Sequence, residues 1–361
     1  MAAEPEEVWR EPVRGGYPDP RVMALSGPER LALWARGKMP PPPLHHLTGA
    51  LPIAFGEGTA VSEMPAHGWL LNSAGLISGG VLAMVADISF GCSIETKLPP
   101  GVPYTTAELS LSMLRPVAAD GVLEASGQAI HVGRSVALSE VFVLRQGADE
   151  LLAHGTSRCA VLPPIEPLPN LPDELPAPVA PPSDPPDPFR REPPGGVLGQ
   201  EVWDELSGAE VLERQLRGEL PPPPIHWLTG IHLTAADQGT AEFRMPATQW
   251  LNNPGGTVQG GATAMLADFA MLAAVETLRP AGVANAGLDL KINYMRPVPA
   301  DGRDLIARAE VLHSGRRISI AAARVENADG KPVALATGSS MLLPGRPAQL
   351  GEVELGAGED Q

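Results

Sequence analysis

The stretch Asn72-Ser-Ala-Gly-Leu-Ile-Ser-Gly-Gly-Val-Leu-Ala-Met-Val-Ala-Asp87 decides the reading of this chain, because it occurs twice. The second copy, Asn253-Pro-Gly-Gly-Thr-Val-Gln-Gly-Gly-Ala-Thr-Ala-Met-Leu-Ala-Asp268, lies 181 residues on, position 72 matching 253 and position 87 matching 268. Each copy has an Asn, a Gly-containing loop, a Gly-Gly pair and an apolar run that holds one Asp. Such a segment opening on Gly-Gly predicts a helix that continues to about Glu95 or Glu276, before Pro99 and Pro280 stop it. Apolar almost all round, it belongs in the core.

A carboxylate inside that helix is costly to ionise unless a donor or a charge comes to meet it. The helical neighbours of Asp87 are Ala83, Met84, Phe90 and Gly91; those of Asp268 are Ala264, Met265, Met271 and Leu272. None of them can serve. The helix start can, since its free N–H groups and the positive end of the helix dipole favour an anion. Yet Gly79 stands about 12 Å from Asp87 along the axis, at roughly 1.5 Å per residue. One helix therefore cannot bring its Asp to its own start. Two helices packed together can exchange them, which gives the duplication a mechanical reason.

A length of 361 residues predicts two domains, each able to bury a core. The formal charge of −16 argues against nucleic acid as a partner. Two cysteines, Cys92 and Cys159, suit neither a disulfide framework nor a zinc site, and no metal or cofactor is expected. The first residues have no apolar signal core, and no apolar run of roughly 20 residues occurs, so a soluble cytoplasmic protein with no membrane span is expected.

The order along the chain is the same in both copies. Residues 1–25 are Pro- and Gly-rich and are expected to be flexible. A first domain is read over 26–162, a Pro-rich linker that packs poorly over 163–199, a second domain over 200–344 and a frayed acidic tail over 345–361. Each domain opens on a short amphipathic helix, Ser26–Met39 or Ser207–Leu220, with the Ser as N-cap. A Pro run follows, Pro40–Pro43 or Pro221–Pro224, read as extended backbone. Residues 51–66 and 232–247 alternate as hairpins, and four strands follow each long helix.

A hairpin, one buried helix and an antiparallel run of strands resembles the hotdog fold, an α+β architecture in which a sheet wraps a central helix. The motifs are more specific. Asn, five residues, then x-Gly-Gly with an Ala-Asp behind it is similar to the phenylacetate-pathway-type acyl-CoA thioesterases. Arg115-Pro116, Arg296-Pro297, His131-Val-Gly-Arg134 and His313-Ser-Gly-Arg316 match as well. The resemblance covers both domains and implies a tandem hotdog that hydrolyses a small or medium acyl-CoA, aromatic acyl groups included, and that associates into an oligomer of the double unit. The family usually has His at x, where this chain has Ser78 and Gln259.

By the same resemblance, Asp87 and Asp268 match the carboxylate that attacks the thioester or activates water. The N–H of Gly79 or Gly260 would form the oxyanion hole, and Asn72 and Asn253 would position thioester or water. Thr106 stands where relatives place a hydroxyl beside the carboxylate; its counterpart is Gly287. Exchange between copies would then bring Asn253, Gln259 and Gly260 to Asp87 and Thr106, the better equipped set, and Asn72, Ser78 and Gly79 to Asp268. Arg134, Arg316 and Arg317 could hold coenzyme A phosphates. Plainer readings stand beside these: a buried Asp tied by backbone donors, glycines that only permit close packing, loop-forming Asn, and surface Arg. A non-catalytic acyl-CoA binding or sensing protein is the competing function. A hydratase is ranked last, because neither long helix holds a His for the Asp-His pair that chemistry uses.

Overall fold

The computed structural model describes residues 7–148, 150–180, 182 and 184–349. In the first half, helices α1 (Gly27–Ala35), α2 (Pro43–Thr48) and α3 (Gly79–Glu95) accompany strands β1 (Leu51–Gly56), β2 (Thr59–Pro65), β3 (Tyr104–Met113), β4 (Val122–Val132), β5 (Val136–Arg145) and β6 (Leu151–Val161). The second half has α4 (Gln200–Glu205), α5 (Gly208–Leu216), α6 (Pro224–Thr229) and α7 (Gly260–Glu276). Its strands are β7 (His232–Asp237), β8 (Thr240–Pro246), β9 (Val283–Tyr294), β10 (Asp304–Ser314), β11 (Ile318–Glu326) and β12 (Pro332–Pro344). The expected hairpins and the four strands after each long helix are present.

All twelve strands form one antiparallel sheet in the order β1-β2-β4-β5-β6-β3-β9-β12-β11-β10-β8-β7. The order reads the same for each copy outward from the centre. There β3 pairs with β9, from Glu108 opposite Asn293 to Ser112 opposite Asp289. Each half wraps its own long helix, so the chain is two hotdog units joined edge to edge. The middle of α3, Ala83 to Ala86, and of α7, Ala264 to Ala267, is fully buried, as a helix without a polar face requires.

The two long helices cross at the second glycine of each pair. A Cβ on Gly80 would stand 2.5 Å from Met265 Cα, and one on Gly261 would stand 2.6 Å from Met84 Cα. Backbone meets backbone there, so no side chain can turn aside. Gly80→Ala is therefore expected to lower stability by about 1–3 kcal/mol, read as a lower urea midpoint at unchanged slope.

Four expectations are corrected. The Pro runs do not stay extended: their last proline, Pro43 or Pro224, starts α2 or α6, because a proline at the first helical position forgoes only an N–H that has no helical partner. The N-terminal segment is not loosely held from residue 7 on, since Val8 and Val22 are core residues; residues 1–6 lie outside the described part. The linker is exposed over much of 163–186, but its end is docked. Trp69 Nε1 donates to Arg191 O at 2.8 Å, and the Leu198 N–H donates to Ser73 O at 2.9 Å. The residues that lead into the first copy do the same for the second unit: Trp250 Nε1 donates to Glu11 O at 3.1 Å and Asn252 Nδ2 donates to Tyr17 Oη at 2.7 Å. Each unit is thus covered by the other copy's leading segment. The tail is also held over its first residues, where the Gln349 side chain donates to Leu198 O; residues 350–361 lie outside the described part.

Candidate active site

Each buried carboxylate lies at the start of the other helix. The Gly80 N–H donates to Asp268 Oδ2 at 2.8 Å, and the Gly261 N–H donates to Asp87 Oδ2 at 3.2 Å. These donors are the second glycine of each pair, next to the Gly79 and Gly260 expected to face the oxyanion. Several N–H groups are free at any helix start, and only the crossing point of the helices selects among them.

The two sites differ in how much of their hydrogen bonding is already used. At Asp87, Thr106 Oγ1 donates to Oδ1 at 3.0 Å. Tyr294, which the sequence reading missed, donates its hydroxyl to Gly260 O at 2.7 Å, and its ring stands about 3.3 Å from where a Gly260 Cβ would be. Gln259 is not brought to Asp87; its Nε2 donates to Met84 O at 2.8 Å and its Oε1 is buried without a partner among the described residues. Asn253 serves its own loop: Oδ1 accepts the Gly255 N–H at 2.8 Å and Nδ2 donates to Thr257 Oγ1 at 3.2 Å. Burial raises the Asp87 pKa, and Thr106 with the Gly261 and Gly260 N–H groups works against that.

At Asp268 the counterpart of Thr106 is Gly287 and that of Tyr294 is Met113, whose thioether lies over Gly79. Burial pushes the Asp268 carboxyl up to about 6, against the pull of the Gly80 N–H and the Ser78 hydroxyl. Ser78 Oγ is close enough to act on that charge, yet it is buried without a hydrogen bond of its own among the described residues. Asn72 Oδ1 accepts the N–H groups of Ala74 and Leu76 at 2.9 and 3.0 Å, closing its loop. Its Nδ2 has no such tie, because Leu76 stands where the second copy has Thr257.

A cavity of about 400 Å³ lies next to this second site and meets it at Ser78 and Asn72, without being lined by Asp268 itself. Asn72 and Ser78 line it from the first unit, and Trp203, Phe269, Leu272 and Asn285 from the second. The carboxylate with the more hydrogen-bond partners and the one with a cavity next to its surroundings are therefore different residues, although Asp268 itself is 2% exposed and Asp87 8%. Arg134, Arg316 and Arg317 sit exposed on the β4–β5 and β10–β11 turns, with no ion pair among the described residues and not in contact with either carboxylate.

Two sheet-wrapped helices joined at one seam make the tandem hotdog architecture. The comparisons agree. The thioesterase superfamily model matches residues 74–151 and again 255–334. Acyl-coenzyme A thioesterase PaaI of Escherichia coli K12 is 33% identical over 116 residues, which are 32% of this chain and 80% of that protein. The tesB protein of Mycobacterium avium subspecies paratuberculosis, a solved structure, aligns over 84% of this chain and 98% of its own at 14% identity and a TM-score of 0.51, a likeness of fold. The chain belongs to the thioesterase superfamily, as two family domains in tandem, and thioester hydrolysis is its reaction. No helix among the described residues is long and apolar enough to cross a membrane.

Proposed function

We propose that the substrate is an acyl-CoA and that Asp268 and Asp87 are the two candidate carboxylates, Asp268 the principal one. The observation that carries this is a buried Asp268 held by the Gly80 N–H at 2.8 Å, beside a cavity large enough for a small or medium acyl group. The thioester carbonyl carbon lies within reach of Asp268, with its oxygen toward the Gly79 N–H at the helix start, where developing negative charge is favoured. Asp268 then either attacks that carbon itself or takes a proton from a water that attacks it. In either case the carbonyl π electrons move to oxygen, the C–S bond breaks as they return and the thiolate leaves; on the first route water then cleaves the Asp268 anhydride to the free acid and supplies the thiol's proton, and on the second the proton held by Asp268 does so. The untied Asn72 Nδ2 and Ser78 hydroxyl are placed to orient water or thioester. Arg316 and Arg317, exposed and unpaired at the cavity's end of the sheet, suit the coenzyme's phosphates.

The pH profile tests this reading. Only ionised Asp268 attacks or accepts a proton, so kcat/KM is expected to be flat at neutral pH. It should fall about tenfold per unit below about 6, the raised carboxyl value. A rate still flat at pH 4.5, in protein that remains folded, excludes Asp268 as the group.

A further inference from the structure

We propose that the chain binds one acyl group, not two, and that the cavity beside Asp268 is its only acyl pocket, held open by Asn285 and Gln215 where the first copy has Tyr104 and Trp34. The inference rests on the acyl-CoA reading above and says which half of the molecule receives the substrate.

The repeat makes the comparison position by position, since 34 matches 215, 91 matches 272 and 104 matches 285. In the first copy Tyr104 lies on helix α3, its hydroxyl oxygen only 2.8 Å from where a Gly91 Cβ would be, and Trp34 Nε1 donates to Pro52 O at 3.3 Å. The Tyr104 ring thus fills the space over Gly91, and the Trp34 ring is fixed against β1. In the second copy both are short amides. Asn285 Nδ2 donates to Leu272 O at 3.3 Å and to Glu276 Oε2 at 3.1 Å, and Gln215 Nε2 reaches across to Ser73 Oγ at 2.9 Å. Both line the cavity that this substitution leaves.

The cavity wall is apolar where an acyl chain would lie, from Val211, Leu212, Phe243, Phe269 and Leu272. The occupant is the acyl part of the thioester, because Ser78 belongs both to the cavity wall and to the surroundings of Asp268.

The test is calorimetric titration with a non-hydrolysable thioether, S-octyl-CoA, which reads binding without turnover. One molecule per chain is expected. Asn285→Tyr should weaken that binding at least about tenfold, the scale set by losing a methylene's worth or more of pocket contact. Gln215→Trp, on the rim at α5, should act in the same direction and serves if Asn285→Tyr fails to fold. Two molecules per chain, or unchanged binding in the folded variants, overturns the inference. Tight binding of one molecule by a protein that releases no thiol from octanoyl-CoA would instead leave the pocket standing and remove the substrate reading.

Discussion

Asp268→Asn is expected to lower the rate of thiol release from acyl-CoA by about 10²–10⁴-fold, the range for a positioned general base, and Asp87→Asn by less than about tenfold. Asn keeps the shape of Asp and still accepts the Gly80 N–H, but it cannot attack a thioester or take up a proton. The folds should survive, since each change removes a buried charge rather than creating one. The difference between the two follows from what surrounds them. Asp87 spends its oxygens on Thr106 and the Gly261 N–H, while side chains lie over the first glycine of both sites, Tyr294 over Gly260 and Met113 over Gly79. Asp268 keeps the untied Asn72 and Ser78 and the cavity at its side. The check is initial rate at saturating octanoyl-CoA for each variant and for the double variant, with thermal melts to confirm folding. A larger loss in Asp87→Asn would move the chemistry to the Thr106 side. Full activity in the double variant would end the assignment of either carboxylate.

The sequence alone ranks these sites the other way, and the reason is physical. Residue identities at matched positions show where hydroxyls and amides are: Thr106 and Gln259 on one side, Gly287 and Ser78 on the other. They do not show which of those groups are already satisfied. Gln259 looks like equipment for Asp87 until its amide is seen on Met84 O, and Asn253 until Thr257 is seen to tie it down. A cavity is harder still to foresee, because it is the space left by the pairing of elements distant in sequence. The fold was legible for the opposite reason. A helix with no polar face, a fixed 181-residue offset and an Asp too far from its own helix start leave few arrangements other than two helices exchanging carboxylates. What could have been read and was not is a repeat inside the segments taken as flexible. Trp9-Arg10-Glu11-Pro12 and Arg190-Arg191-Glu192-Pro193 stand at the same offset, and a linker does not need to repeat a leader.

That repeat carries the second large prediction. A chain begun at residue 26 should be insoluble, or should melt at least about 10 °C below the full chain, taking roughly 2 °C per kcal/mol for a protein of this size. The segment removed is structural. Val8 is wholly buried in the main core, and burying a valine contributes about 1.5–3 kcal/mol. Trp9 packs on Gly230 of the second unit, where a Cβ would come within 3.0 Å of its ring. The buried Trp250 would lose the acceptor of its indole N–H, Glu11 O, at a cost of about 1–3 kcal/mol. Glu11 also takes a two-pronged bond from Arg191 at 2.5 and 2.8 Å, so its loss leaves part-buried Arg191 without that carboxylate and loosens the matching segment that covers the first unit. Damage at one end of the chain thus reaches both domains, which a merely flexible leader could not do. The measurement is soluble yield and melting temperature of residues 26–361 against residues 7–361, the second being the control that removes only what lies outside the described part. Equal melting temperatures would show that the two leading segments rest on the surface without holding the units together.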